Sequence, residues 1–158
     1  MTQFQKITLF LLRLSLGWMF LYAGITQLMD PKWSAAGYLS GAKTFVGLYH
    51  WLLSSHVLPI INAINPWALT LLGLALILGF FVRLASILGA VLMLLYYCAI
   101  LQFPHPNAHA YIVDEHIIYI CALLFFAAIR AGRVWGIEKW CSNLPLCSKY
   151  PKLRKLIG

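Results

Sequence analysis

Charge is what this sequence has least of. Its 158 residues include 12 lysines and arginines and four aspartates and glutamates, so 10% of the chain is charged and 62% is hydrophobic. Soluble domains carry about 25% charged residues, and so few charges cannot clothe a water-facing globule of this length. The shortage excludes a soluble enzyme, a disordered chain and a disulfide-stapled secreted domain. Cysteine is also sparse: there are four and no CxxC pair, so dithiol–disulfide exchange has no motif here. Cys98 and Cys121 lie in apolar runs, where a thiol packs as a small hydrophobe. Cys141 and Cys147 have no neighbouring histidine to complete a zinc site. HExxH, CxxCH, flavin and iron–sulfur motifs are lacking too, so any such cofactor would belong to a partner. Net charge is +8, yet the basic residues are interleaved with lipid-like segments and do not form a nucleic-acid surface.

What the chain does have is long apolar runs. A bilayer core about 30 Å thick needs roughly 20 apolar residues in a helix. Residues 7–29 supply one run, interrupted by Arg13, Ser15 and Gln27. Residues 66–103 are too long for a single crossing, and Gly79-Phe80-Phe81-Val82-Arg83 is the natural place to fold back. The expectation is therefore an all-α integral membrane four-helix bundle, one domain over 1–158, with spans at 7–29, 66–81, 84–103 and 111–129. The N-terminus reads as a retained helix, because no small-residue cleavage site follows the run.

Residues 30–65 carry Trp33, Tyr38, Phe45, Tyr49 and Trp51 and a short apolar patch at 57–64. Tryptophan and tyrosine favour the headgroup level, so this segment reads as an aromatic extracytoplasmic loop or a re-entrant lid. Residues 130–158 form a basic tail with Trp135 and Trp140, suited to lying on an anionic cytoplasmic leaflet. With four spans, both termini and the Arg83 turn share one side and hold all the basic residues except Lys32 and Lys43. The positive-inside rule then places both termini in the cytoplasm of a multi-pass inner-membrane protein. All five histidines and Asp30, Asp114 and Glu115 fall on the opposite side.

The segment 103–116 concentrates the chemistry, ending in Asp114-Glu115-His116. It is either an ordinary acidic helix start, favoured by the helix dipole, or a proton-handling and head-binding site in which Glu115, His116 and Tyr119 point into the bundle. Glu115 and Tyr119 are i, i+4 and His116 and Tyr119 are i, i+3, so each pair shares a face. His105 and His109 are i, i+4, but Pro104 and Pro106 work against a helix there, no metal-site motif accompanies them, and no metal is assigned. Arg13 either snorkels to headgroups or is a buried partner for a headgroup or another helix. Gly17, Phe20 and Gly24 follow it on one face, a stripe that reads as helix packing, as do Gly73, Gly79 and Gly89. Tyr96 and Tyr97, with Trp33, Trp51 and Glu115, are either an aromatic belt or a pocket for a flat quinone ring.

The stretch Gly73-Leu-Ala-Leu-Ile-Leu-Gly-Phe-Phe-Val-Arg83-Leu-Ala-Ser-Ile-Leu-Gly89, preceded by Arg13, Gly17, Phe20 and Gly24, resembles the DoxX/DoxD membrane family. Residues 113–119 and 131–138 are similar to the final span and exit of its DoxD-like branch, the small subunit of thiosulfate:quinone oxidoreductase. The resemblance implies a four-helix subunit that passes electrons from an external sulfur substrate to quinone, working with a partner subunit, with a homo-oligomer as a further expectation. The matching positions are Arg13, Gly24, Arg83, Asp114, Glu115, His116 and Arg133. On this basis Glu115, His116 and Asp114 are the expected catalytic residues, and Arg13, Tyr97, Tyr119 and Trp51 the expected quinone contacts. Family members often carry Gly-Glu before the second span's glycine run; here Ala68-Leu69 stands there, and an intramembrane acid is lost. The rival expectation is a non-catalytic membrane scaffold that docks redox proteins. A small transporter fits less well, because the spans lack midplane polar residues and obvious breaks.

Overall fold

The computed structural model describes residues 1–107 and 109–138. Its elements among these residues are helical: α1 (Gln3–Met29), α2 (Ala36–Ser40), α3 (Val46–Leu52), α4 (Leu58–Leu78), α5 (Val82–Ile100) and α6 (Glu115–Ile129), followed by a 3-10 turn at Ala131–Arg133. Three of them, α1, α4 and α5, are long and apolar enough to cross a membrane. With 15 residues, α6 is apolar but shorter, reaching about 22 Å. The basic tail beyond residue 138, with Cys141 and Cys147, lies outside the described residues.

Local chemistry sets each boundary. Thr2 and Gln5 form a reciprocal capping box that starts α1 four residues before the apolar run begins. Asp30 ends it, held extended by the following Pro31. The second crossing starts at Leu58, not at Pro66 as the proline suggested: Pro59 occupies the first turn, where no donor is needed, and the helix runs through Pro66. The group a proline at 66 leaves without its helical donor is the Asn62 carbonyl; the Thr70 hydroxyl donates to the Pro66 carbonyl at 2.8 Å, a bond back to its own helix four residues earlier. Residues 58–64 are therefore the opening of α4 and not part of a lid. The fold-back falls where expected, with Gly79 at φ 68° and Phe81 at φ 53°. The third crossing stops at Ile100, short of Phe103, and α6 begins at Glu115 instead of residue 111 because Asp114 caps it.

The remainder of the aromatic segment is a folded cap across the end of α5. The Tyr49 hydroxyl donates to the Leu95 carbonyl at 2.7 Å, Tyr38 to Tyr96 at 2.9 Å and Thr44 to Leu101 at 2.5 Å. These donors meet carbonyls at a helix C-terminus, where backbone acceptors outnumber donors. Tyr49 is buried in a small core with Ala35, Leu39, Ala42 and Ala99, and burial pushes its hydroxyl up to about 12, which keeps it a donor. Asn62 anchors the cap's first turn to α4 by accepting from the Ala35 amide at 2.9 Å.

The tightest helix pairs are α1 with α4 and α5 with α6. The first is backbone against backbone. A Cβ on Gly73 would lie 2.4 Å from the Leu21 nitrogen, and one on Gly24 would lie 2.5 Å from the Thr70 nitrogen. The glycine stripe is thus a packing face. A core of Leu16, Phe20, Leu72, Leu76, Met93, Leu123 and Phe126 joins the two pairs.

At the Gly79 end, Arg13 is only 1% exposed, so the buried-partner reading holds and snorkelling does not. Its guanidinium donates to the carbonyls of Ala131 at 2.6 Å, Val134 at 3.0 Å and Trp135 at 3.3 Å. It also lies 5.5 Å from the Phe10 ring centre. Substituting Gly73→Ala should destabilise the protein by about 1–3 kcal/mol through overpacking. Gly37→Ala, where nothing lies within 4 Å, should change stability by less than about 1 kcal/mol. Reversible unfolding in detergent measures both.

Candidate functional site

The opposite end of the bundle carries the polar side chains that an apolar fold must account for. Asp114 precedes α6 in extended conformation and accepts from the amides of His116 at 3.0 Å and Ile117 at 3.3 Å. This is an N-cap with a negative group at the positive end of the helix. Its second oxygen meets His116 Nδ1 at 2.8 Å. A carboxylate can only accept, so Nδ1 carries the proton. His116 Nε2 is left without a hydrogen bond among the described residues.

Around this imidazole the helices converge. The Tyr96 ring centre lies 6.2 Å from that of His116 and the Tyr119 ring centre 6.5 Å, both edge to face. Tyr119 meets Phe20 of α1 at 6.2 Å, and Tyr96 meets Tyr38 of the cap at 5.5 Å. Tyr96 donates its hydroxyl to Asn65 Oδ1, and Asn65 donates its amide to Gln27 at 3.0 Å. A polar chain therefore crosses from α1 through α4 to α5, beside a histidine of α6. The Tyr119 hydroxyl makes no hydrogen bond among the described residues. Two groups with unused hydrogen-bonding capacity, His116 Nε2 and Tyr119 Oη, thus belong to one half-buried aromatic cluster. Both groups can donate or accept a further hydrogen bond.

The expected site residues divide into three groups. Asp114, His116 and Tyr119 come together, and the i, i+3 reading of His116 and Tyr119 is seen as a ring contact. Glu115 does not point into the bundle: it is exposed, because as the first helical residue it lies one step, about 100°, from His116. Tyr97 is buried, but its hydroxyl donates to the Ile112 carbonyl at 2.5 Å and fixes the approach to Asp114 instead of lining the cluster. Trp51 is 60% exposed on α3, apart from the cluster. Arg13 sits at the other end, about 21 Å along α1 from Gln27, with its guanidinium on backbone carbonyls. The other histidines, His50, His56, His105 and His109, are exposed.

Sequence reasoning missed Asn65, Gln27 and Tyr38. Asn65 reads as the last loop residue if the helix starts at Pro66; a polar amide about two turns inside an apolar helix was the signal. Replacing Asp114 by Ala should cost about 1–2 kcal/mol through the lost cap, while Asp114→Asn retains most of that stability; reversible unfolding of the two variants checks it.

The family model described as DoxX matches residues 8–113. No curated protein and no solved structure matches the chain.

Proposed function

Since this chain belongs to the DoxX family, whose members are membrane proteins often found in redox-related contexts, we propose that it is a membrane subunit of a quinone-linked redox system, of the thiosulfate:quinone oxidoreductase type. The observation that carries this reading is the His116 cluster: a half-buried aromatic site with a carboxylate-oriented imidazole, set where α1, α4, α5 and α6 meet. Such a site fits a quinone head. Reduction of a quinone takes up two electrons and two protons, so its oxygens need hydrogen-bonding partners that can also handle protons.

In this reading His116 Nε2 and Tyr119 Oη hold the head's oxygens, and Tyr96 and Phe20 supply ring contacts. Asp114 acts through His116 by fixing its tautomer, and exposed Glu115 relays protons to outside water. The sulfur-side chemistry falls to a partner subunit, because this sequence carries no flavin or iron–sulfur motif. Four crossings, with α6 as the fourth, put both termini on the cytoplasmic side and the His116 cluster at the outer face, in accord with the basic residues.

A scaffold role has its own support in Phe45, Val46, Leu48 and Trp51, an exposed apolar group on and beside α3. It expects a partner that co-purifies in mild detergent and no quinone on solvent extraction.

The redox reading expects a soluble short-chain quinone to bind the purified protein. His116→Ala should weaken that binding about tenfold, the loss of one buried hydrogen bond. Thiosulfate-dependent quinone reduction in the assembled complex should fall at least as far. Quinone affinity indifferent to His116 contradicts the reading.

A further inference from the structure

At the Gly79 end, one titratable side chain has no hydrogen bond to account for its burial. Beyond the 3-10 turn the chain doubles back beneath the bundle. Trp135 adopts φ 51° and sets its ring edge-on to Phe10, 5.6 Å between centres. The Glu138 amide then donates to the Gly79 carbonyl at 3.0 Å. The strap lies backbone on backbone: a Cβ on Gly136 would stand 2.2 Å from the Gly132 oxygen and 2.8 Å from the Gly79 oxygen.

This closure carries the Glu138 side chain inward, where it is 1% exposed. Neither carboxylate oxygen has a hydrogen-bond partner among the described residues. Oε2 lies over Gly132, where a Cβ would come within 1.7 Å of it, and the Val82 side chain borders the same spot at 3.0 Å. An ionised carboxylate without a donor is costly to bury, and protonation removes the cost. The charged groups facing it are Arg133 from the 3-10 turn, Arg13 from α1 and Arg130 from the end of α6; the Gly79–Phe81 turn and Val82 contribute none. Burial outweighs the three cations and pushes the carboxyl up to about 7.

We propose that Glu138 is a proton-operated latch: neutral, it lets residues 131–138 close beneath the bundle, and ionised, it weakens that closure. The proton binds more tightly in the closed strap than in the open one, where the group has its ordinary value of 4.5. Closure is therefore strongest below that value, weakens as pH rises towards about 7, and changes no further above it. Opening frees the carbonyls that Arg13 holds and uncovers the Gly79 turn, so proton concentration on that face sets how firmly the chain beyond α6 is docked.

Hydrogen exchange of peptides covering 130–138 tests this on the full-length protein in nanodiscs, from pH 4.5 to 8.5, with rates corrected for intrinsic exchange. The open fraction should rise roughly a hundredfold across the range and level off above about pH 7. Glu138→Gln, a neutral group of the same shape, should stay closed with a flat profile. An open fraction that falls with rising pH would mean that Glu138 holds the strap as an ionised partner of the arginines, and overturns the proposal. Equal slopes in the wild type and Glu138→Gln also overturn it. Should the glutamine variant fail to assemble, the wild-type profile decides alone: a flat or falling curve refutes the latch.

Discussion

A guanidinium inside an apolar bundle must find acceptors within the protein, because lipid offers none. Arg13 finds them in three carbonyls that the end of α6 and the turn after it expose. The Ala131 carbonyl also accepts from the Val134 amide at 3.2 Å, so the guanidinium shares the turn's acceptors through its two terminal nitrogens, while Nε has no partner among the described residues. The contact brings α1, the α4–α5 turn and the exit of α6 to one point. Residues without side chains are needed there: a Cβ on Gly79 would sit 3.1 Å from both terminal guanidinium nitrogens and 2.5 Å from Gly136. Closely packed helix pairs, α1 with α4 and α5 with α6, are thereby tied at one end.

The other end follows a different logic. No buried cation organises it. Hydrogen bonds between neutral side chains run from Gln27 through Asn65 to Tyr96, and the Asp114 cap orients His116 beside them. The cap formed by α2 and α3 covers the end of α5 through the hydroxyls of Tyr38, Thr44 and Tyr49. The two ends thus differ in kind: backbone packed on backbone around a buried cation at the Gly79 end, and spare hydrogen-bonding capacity beside a capped helix start at the Asp114 end.

Much of this was legible in the residues. Apolar run lengths and the Gly79–Arg83 break led to four expected crossings and the fold-back; three of the four are helices long and apolar enough to cross a membrane, and the small-residue stripe from Gly17 to Gly24 was a packing face. Helix boundaries near proline were not legible, because Pro66 carries the same local signal inside a helix as at its start, and Pro59 in the first turn of α4 offers that signal again seven residues earlier. That one boundary hid Asn65. Whether Arg13 snorkels or is buried depends on residues more than a hundred positions away, which no local window contains. Glu115 and His116 look equivalent in sequence, and it is the Asp114 cap that turns one outward and the other inward.

The proposed quinone site lies at the His116 end, and Arg13 is a structural group at the other. The quinone affinity of folded Arg13→Lys protein, which keeps the charge but not the fork of donors, separates the two ends most directly. An affinity within about twofold of wild type is expected, since a site some 21 Å away along α1 is untouched. A loss as large as that of His116→Ala would contradict it and place Arg13 in the binding site.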